Sequence, residues 1–513
     1  MQINKTDNAV RNIFFGIIQK TVNISMSFIT RTVMIETLGA NYLGLNSLFT
    51  SVLQVLNLAE LGVGSAMIFS MYKPIAEDDK ETICALMELY QVYYRIIGLL
   101  ILVAGLGITP FIPMLIKKDI PHGVNIYILY MMNLGSTVLS YWLFSYKKSI
   151  LYAYQRNDVI DRTSAIVICV QQVIQVFVLF LFRNYYYYLI IVMGAQAAKN
   201  IINAFVVSRM FPEYEAKGTL SAEKVKTINQ RVKDLFTAKL GNTVVSAVDA
   251  IVISSFMGLT VLAVYNNYYY IMNAVITFVF MIFTACGAGI GNSLVTESLE
   301  KNYCNFKTMT FIISWISGFC VSCLYSLYQP FMKIWVGEGL MFTQSVVLLF
   351  CIYFYLYILC GVFSTYKDSA GIWHQDRFRP LAGAIVNLIL NLAFVGKYGV
   401  YAILLSTIVS YLAVNIPWLI YNVFHVLFRR DAGEYIRTVL SYTVISLMVC
   451  VITACVCSLV KIEGIEGLLC KGFLCMVVPN ILFLFIYRKN REFKNCLCII
   501  RRIIRRKVLR RRM

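Results

Sequence analysis

The feature that most constrains this chain is a succession of long apolar blocks, each of about 18 residues or more, the length that a helix needs to cross a bilayer. The chain is 59% hydrophobic and only 14% charged, whereas about 25% of the residues in soluble globular domains are charged. The blocks are continuous and do not alternate between apolar and polar residues, which disfavours a membrane β-barrel. We therefore predict an all-α integral membrane protein and exclude a soluble enzyme of several domains.

A hydropathy window of about 20 residues predicts about 14 transmembrane helices, numbered here as spans 1–14. Span 1 ends without a small-residue cleavage site, so we expect it to stay in the mature protein rather than to be a removable signal peptide. The predicted spans cover residues 12–38, 43–71, 84–116, 124–145, 160–182, 186–209, 236–256, 262–294, 308–332, 343–365, 380–396, 400–427, 437–460 and 467–487.

The basic residues set the predicted orientation. The chain has 46 Lys and Arg against 26 Asp and Glu, a formal net charge of +20. With the N-terminus inside, most of these basic residues fall in cytoplasmic segments, even when the basic tail is set aside, as the positive-inside rule requires. We expect a multi-pass protein of the cytoplasmic, or inner, cell membrane with both termini in the cytoplasm.

The sequence contains an internal repeat with an offset of about 219 residues. Each copy holds six spans, and an even number of spans gives both copies the same orientation in the membrane. We therefore predict two parallel six-helix lobes related by a pseudo-twofold axis along the membrane normal. The matched residues are Lys20, Asn23, Ser27 and Gly39 with Lys239, Asn242, Ser246 and Gly258, and Tyr146, Lys147 and Gln155 with Tyr366, Lys367 and Gln375.

The repeat leads to a predicted domain organisation. Residues 1–210 form an N-terminal lobe of spans 1–6, residues 211–235 a cytoplasmic linker, residues 236–428 a C-terminal lobe of spans 7–12, residues 429–487 spans 13–14, and residues 488–513 a basic cytoplasmic tail. Apolar residues at helical spacing predict an amphipathic surface helix in the linker. The same spacing in the tail predicts a basic amphipathic helix on anionic lipids, in preference to nucleic-acid binding.

Polar residues recur along one face of spans 1 and 7. A Lys or Arg at the centre of a span costs about 2.5–3.5 kcal/mol on insertion scales, so such residues are expected to face water or a partner. Two other interpretations stay open: Lys20 and Lys239 could extend to the headgroups, and Glu60 could neutralise Arg31. If these residues face water, they line a substrate-binding cavity between the lobes. The predicted cavity residues are Lys20, Asn23, Arg31, Glu60, Lys239, Asn242 and Asp249.

A cationic cavity between two helical bundles would receive an anion, because ammonium and guanidinium groups hold phosphate oxygens. The sequence has no Walker-type phosphate loop, and its three histidines and fifteen cysteines show no metal-ligand spacing. We therefore predict a transporter and not an enzyme, with no catalytic residue, no metal and no cofactor, and leave proton or sodium coupling open.

Three segments resemble the bacterial polysaccharide and O-antigen flippases of the multidrug/oligosaccharidyl-lipid/polysaccharide (MOP) exporter superfamily. They are LGANYLGL at 38–45, AELGVGSA at 59–66, and the loop YKDSAGIWHQDR at 366–377. The resemblance extends over almost the whole chain, up to about residue 487.

This resemblance implies a function. The cargo would be an undecaprenyl-diphosphate-linked oligosaccharide repeat unit, moved from the cytoplasmic to the outer leaflet by alternating access of two lobes, for surface polysaccharide assembly. A polysaccharide polymerase and glycosyltransferases would be the partner proteins. The alternative is a cation-coupled multidrug exporter of the same superfamily, whose cavity would favour carboxylates over bases.

The two cytoplasmic loops that begin at Tyr146 and Tyr366 could gate the inner mouth of such a transporter. Their basic residues are also what the positive-inside rule expects at a membrane surface, and we prefer the interpretation as surface anchors. The residues concerned are Lys147, Lys367, Arg377 and Arg379.

Overall fold

The protein is helical throughout the part that its computed structural model describes. That part is the backbone of residues 5–60 and 62–498, with the side chains of all but residues 5–10, 234–235, 237–246 and 288. Within it every regular element is a helix, which confirms the all-α class. The α-helices are α1 (Lys5–Thr37), α2 (Ala40–Leu56), α3 (Val63–Ala76), α4 (Lys80–Ile108), α5 (Ile126–Trp142), α6 (Lys148–Ala153), α7 (Asn157–Phe182), α8 (Tyr185–Met210), α9 (Ala222–Met257), α10 (Leu259–Thr296), α11 (Leu299–Val336), α12 (Gln344–Ser369), α13 (Arg379–Tyr398), α14 (Val400–Ser410), α15 (Ile416–Tyr421), α16 (Gly433–Ser458) and α17 (Gly464–Tyr487).

Twelve helical stretches of the described residues are long and apolar enough to cross a membrane. They confirm a multi-pass protein, whereas the predicted number of about 14 is not confirmed. The predicted fourth span corresponds to α5, which has only 17 residues. The predicted seventh span forms the second half of α9, where the segment Ala247–Met257 is a shorter apolar helix.

The chain divides into two compact units, Met1–Ala263 and Val264–Met513, called units 1 and 2 below. In unit 1, α1 packs along α7, α8 packs against α5 and α7, and α9 packs against α2 and α3. In unit 2, α11 packs against α12, α16 and α17, and α13 packs against α14.

An aromatic cluster joins the last two helices to α11 in unit 2. Its buried members include Phe311 of α11, Tyr442 of α16, and Phe483 and Tyr487 of α17. Lipid chains are as apolar as these rings, so close packing rather than exclusion from water holds such helices together. The appended pair predicted as spans 13–14 is thereby part of unit 2.

The predicted linker helix and span 7 are one continuous helix. α9 has 36 residues, a length of about 54 Å at 1.5 Å per residue. It begins at a side-chain cap, because Ser221 accepts a hydrogen bond from the backbone N–H of Lys224. Ile228, on the predicted apolar face, is buried. The basic tail lies mostly outside the described residues, which end at 498.

The turn after span 1 has the same geometry as the turn after span 7. Gly39 and Gly258 both have φ +105°, a backbone conformation that residues with a Cβ rarely adopt. The N–H of Gly39 donates to the carbonyls of Met34 and Ile35, and the N–H of Gly258 donates to those of Ile253 and Ser254. These are equivalent positions at the repeat offset, so the matched glycines mark matched turns.

The second predicted span is broken, which the sequence analysis did not foresee. α2 ends at Leu56, a 3₁₀ turn covers Asn57–Glu60, and α3 starts at Val63 after Gly62 in a left-handed conformation. The predicted twelfth span also deviates from a regular α-helix, since π-helical segments, Tyr411–Asn415 and Asn422–Phe428, flank α15. Such irregularities concentrate at functional sites.

Candidate functional site

Glu60 lies at the break between α2 and α3, where tyrosine hydroxyls hold its carboxylate. Oε1 accepts a hydrogen bond from Tyr94 of α4 at 2.6 Å, and Oε2 accepts one from Tyr141 of α5 at 2.9 Å. Tyr90 donates in turn to the hydroxyl of Tyr94 at 2.7 Å. Tyr94 and Tyr141 lie 34 and 81 residues from Glu60 in the sequence. Because of this separation, the sequence pointed only to Arg31 as a partner of Glu60.

Lys148, the first residue of α6, is the main functional candidate that the sequence analysis missed. Its Nζ donates a hydrogen bond to Oδ1 of Asn200 on α8, and Nδ2 of Asn200 donates to the carbonyl of Ser140 at 2.9 Å. Burial and the nearby Lys199 ammonium lower the pKa of Lys148 to about 8, against the opposing effect of Glu60. A lysine with such a pKa can gain or lose a proton near neutral pH.

A line of charges joins α1 to these residues. Asp161 of α7 lies within electrostatic range of both Lys20 of α1 and Lys199 of α8, and Lys199 lies within range of Lys148. We call Lys20, Lys148, Lys199, Asp161 and Glu60 the unit 1 charge cluster. Its three ammonium groups exceed its two carboxylates by one.

The residues on the polar face of α1 differ in how far they are exposed to solvent. Thr30 is buried and its hydroxyl donates to Gln172 of α7, whereas Lys20 and Asn23 are exposed. Arg31 is half-buried and lies within electrostatic range of Tyr188 on α8. It stands about 16 Å along the helix from Lys20, at 1.5 Å per residue.

The remaining predicted site residues lie on α9. Asp249 is buried, with 6% of its surface exposed. The side chains of Lys239 and Asn242 lie outside the described residues. Of the predicted set, the structure thus brings Lys20 and Glu60 into one charge cluster and places Arg31 farther along α1.

In unit 2 a buried ion-pair network centres on Asp376, in the loop between α12 and α13. The carboxylate of Asp376 contacts Nζ of Lys367 at 3.0 Å and two of the guanidinium nitrogens of Arg379, Nε at 2.7 Å and Nη2 at 3.0 Å. Nδ2 of Asn422 also donates to it at 3.1 Å, and Arg379 donates to Oδ1 of Asn415 at 2.6 Å. We call these five residues the unit 2 network.

The unit 2 network corrects the interpretation of its basic residues as surface anchors. Lys367 and Arg379 are buried together with Asp376, so they neutralise a carboxylate inside the protein instead of reaching headgroups. Arg377 is exposed and lies over the ring of Phe378 at 4.6 Å, as expected of a surface residue. The sequence analysis could not separate these basic residues, because their spacing alone does not show which side chains Asp376 attracts.

Polar side chains also connect α13 to α14 in unit 2. Nδ2 of Asn387 donates to the hydroxyl of Thr407 at 2.9 Å, and Nδ2 of Asn391 donates to Oδ1 of Asn387 at 3.2 Å. Interhelical hydrogen bonds of this kind stabilise helix pairs in membranes. Among the residues that the structure describes, no group of three or more His, Cys, Asp or Glu side chains could hold a metal ion.

Comparison with solved structures identifies the fold. The lipid II flippase MurJ in an inward closed conformation superposes with a TM-score of 0.66 at 14% identity, over 93% of this chain and 99% of that one. The eukaryotic MATE transporter AtDTX14 superposes with a TM-score of 0.56 at 13% identity, over 84% and 99%. A MATE family transporter of the MOP superfamily in an outward-facing conformation gives 0.55 at 12%, over 81% and 94%.

The chain has the fold of MOP-superfamily transporters. The likeness confirms the predicted fold, and all three neighbours are named as flippases or transporters. No family model and no curated protein matches the sequence. At 12–14% identity the likeness concerns the MOP fold and not the cargo.

Proposed function

We propose that the protein is a flippase that moves an undecaprenyl-diphosphate-linked oligosaccharide repeat unit from the cytoplasmic to the outer leaflet of the cell membrane. The cycle is alternating access of the two predicted lobes, and the product enters surface polysaccharide assembly. The observation that carries the proposal is the charge balance of the unit 1 charge cluster, where lysines outnumber carboxylates, with Arg31 farther along α1. Such a site favours an anionic head group.

The direction follows from the charge of the cargo. An inside-negative membrane potential favours outward movement of each negative charge by about 2.3 kcal/mol per 100 mV. A diphosphate-linked cargo therefore moves outward without ATP hydrolysis on this chain. One structural neighbour is named as a lipid II flippase, which supports a lipid-linked cargo.

The second candidate is a cation-coupled multidrug exporter. Two observations favour it: several structural neighbours are MATE transporters, and Glu60 and Asp249 supply carboxylates that could attract a cation. The excess of lysines in the unit 1 charge cluster makes the flippase the better supported of the two.

The decisive experiment replaces the predicted cavity bases. Arg31→Ala and Lys20→Ala should each abolish export of surface glycan, measured by immunoblotting of cell-surface polysaccharide at matched protein levels in the membrane. Lys397→Ala, at an exposed position on α13 in unit 2, is the control and should leave export unchanged. Ethidium accumulation in the same cells reports drug export.

The outcomes separate the two functions. Full glycan export by both cavity variants would contradict the flippase. Loss of ethidium export with intact glycan export would favour the multidrug exporter.

A further inference from the structure

Two lysines on different helices of unit 1 lie close together in a partly dehydrated place. Lys148 begins α6 and its Nζ donates to Oδ1 of Asn200 on α8, the residue that follows Lys199. Both lysines are only partly exposed, and the charge of Lys199 acts on Lys148. Two like charges repel each other more strongly where water is scarce. An arrangement of this kind is favourable when an anion binds between or beside them.

The charged groups around Lys148 do not remove this excess. Glu60 acts on Lys148 from the break before α3, and Asp161 of α7 acts on Lys199 and Lys20 together. The phenol of Tyr152, on α6 itself, lies within electrostatic range of both carboxylates. Lys73 of α3 is exposed and pairs with Glu77, one turn away.

A buried amide on the same helix is a second, independent sign of a ligand. Asn203 is completely buried, and its Oδ1 and Nδ2 have no hydrogen-bond partner among the described residues. It follows Asn200, the partner of Lys148, by three residues on α8 and therefore shares its helix face. Buried amides are nearly always hydrogen-bonded, so Asn203 calls for a polar group that the described side chains do not supply.

We propose that Lys148, Lys199 and Asn203 form a binding subsite for phosphate oxygens, which receives the diphosphate of the cargo. The predicted topology places this end of unit 1 at the cytoplasmic side, where the lipid-linked cargo is loaded. The two ammonium groups supply charge-assisted hydrogen bonds, and the amide of Asn203 supplies a further donor. The subsite rests on the proposed function and adds to it the residues that first hold the head group.

The test measures binding to the purified full-length protein in nanodiscs of zwitterionic lipid. Isothermal titration calorimetry with farnesyl diphosphate, a short polyprenyl diphosphate, should detect binding by the wild type, and farnesol, which lacks the phosphates, should bind at least about tenfold more weakly. Lys148→Met combined with Lys199→Met should weaken farnesyl diphosphate binding by about tenfold or more. Lys148→Arg, which keeps the charge, should retain it.

A matched control removes a lysine outside the subsite. Lys224→Met, at an exposed position near the start of α9, should bind farnesyl diphosphate as the wild type does. Size-exclusion profiles and melting temperatures verify that each variant is folded. Lys148→Arg also keeps the experiment informative if the double variant does not fold, since loss of binding in this charged variant would contradict a subsite based on charge.

Several outcomes overturn the proposal. One is unchanged affinity in the folded double variant. Others are equal binding of inorganic pyrophosphate, which would identify a free phosphate ligand, and complete displacement by phosphatidylglycerol, which would identify a bulk lipid headgroup. Glycan export separates the two hypotheses: if Lys20→Ala and Arg31→Ala abolish export while the double variant binds normally, only the subsite fails, whereas export by both single variants removes the proposed function.

Discussion

The loops predicted to be cytoplasmic in the two repeat copies begin with nearly the same residues, YKKS at 146–149 and YKDS at 366–369. The first tyrosine is buried in both. The third position differs: in unit 1 it is Lys148, which donates to the neutral amide of Asn200, whereas in unit 2 it is Asp368, whose carboxylate contacts Lys367 at 2.7 Å.

The difference extends to the rest of each loop. In unit 2, Asp376 binds Lys367 and Arg379, so these two buried positive charges share a carboxylate within the protein. In unit 1, Lys148 and Lys199 share their surroundings with fewer carboxylates than lysines. In unit 2 the buried bases pair with a carboxylate, whereas in unit 1 the lysines outnumber the carboxylates around them, which is the difference on which the proposed anion subsite depends.

The strongest test of this comparison is Asp376→Asn in unit 2. The substitution leaves Lys367 and Arg379 buried without their shared carboxylate, and removing one member of a buried ion pair costs about 3–5 kcal/mol. We expect a large loss of folded protein in the membrane and a lower melting temperature after purification. Thermal unfolding followed by fluorescence-detected size exclusion measures both.

Asp368→Asn is the control in the same loop. The side chain of Asp368 is 56% exposed, and exposed ion pairs contribute about 0–1 kcal/mol, so this variant should melt close to the wild type. If Asp376→Asn is equally stable, the unit 2 network is not a structural element and the contrast between the two loops fails.

The next test uses a glycine that only one copy has. A Cβ on Gly44 of α2 would lie 2.0 Å from the backbone oxygen of Leu259, whereas the equivalent position at the repeat offset is Ala263. Gly44→Ala should destabilise the protein by about 1–3 kcal/mol, as overpacking does, and lower its melting temperature. Gly194→Ala in α8, where a Cβ would meet no atom within 4 Å, should not; equal effects would refute the close approach of α2 to Leu259.

The smallest expected effect is a dependence of farnesyl diphosphate affinity on pH, which we expect to arise in unit 1. The pKa of Lys148 is lowered to about 8, and a bound anion stabilises the charged lysine and raises that pKa. Below pH 7 the lysine is already charged, so binding takes up no proton; above pH 8 it must gain one, and the affinity falls. Linkage to one such proton predicts about a tenfold loss of farnesyl diphosphate affinity from pH 7 to pH 9.

Lys148→Met isolates that pH dependence. The variant lacks the titrating ammonium, so its weaker binding should vary much less between pH 7 and pH 9 than that of the wild type. Calorimetry in two buffers of different ionisation enthalpy counts the protons directly. If the affinity of the variant depends on pH as that of the wild type does, the proton belongs to another group. Lys148 would then not explain the difference between the two loops.

Much of the fold could be predicted from the order of residues, because the bilayer imposes simple demands. A chain in lipid must satisfy its backbone hydrogen bonds internally, so long apolar blocks become helices. The repeat likewise indicated matched turns at Gly39 and Gly258. Both glycines have a positive φ, a backbone conformation that only glycine adopts readily. The count of spans was less certain, because α5 and the second half of α9 are short or continuous with other segments.

The candidate site was only partly predictable. Lys20 and Glu60 could be singled out because charges in apolar blocks are costly. Their partners could not, since Tyr94, Tyr141 and Asp161 come from other helices and carry no distinguishing pattern. The same limit explains the wrong interpretation of Arg379 as a surface anchor, since its spacing in the sequence does not show that its guanidinium binds Asp376.

By itself, then, the sequence determined that the chain is a helical, duplicated membrane protein with an excess of positive charge, because hydropathy, repetition and net charge are properties of the chain alone. Only the tertiary structure decided which bases lie against a carboxylate, as Lys367 and Arg379 do, and which lie against a neutral amide, as Lys148 does. That distinction depends on distances of a few ångströms between helices far apart in sequence, where low dielectric makes each neighbour count.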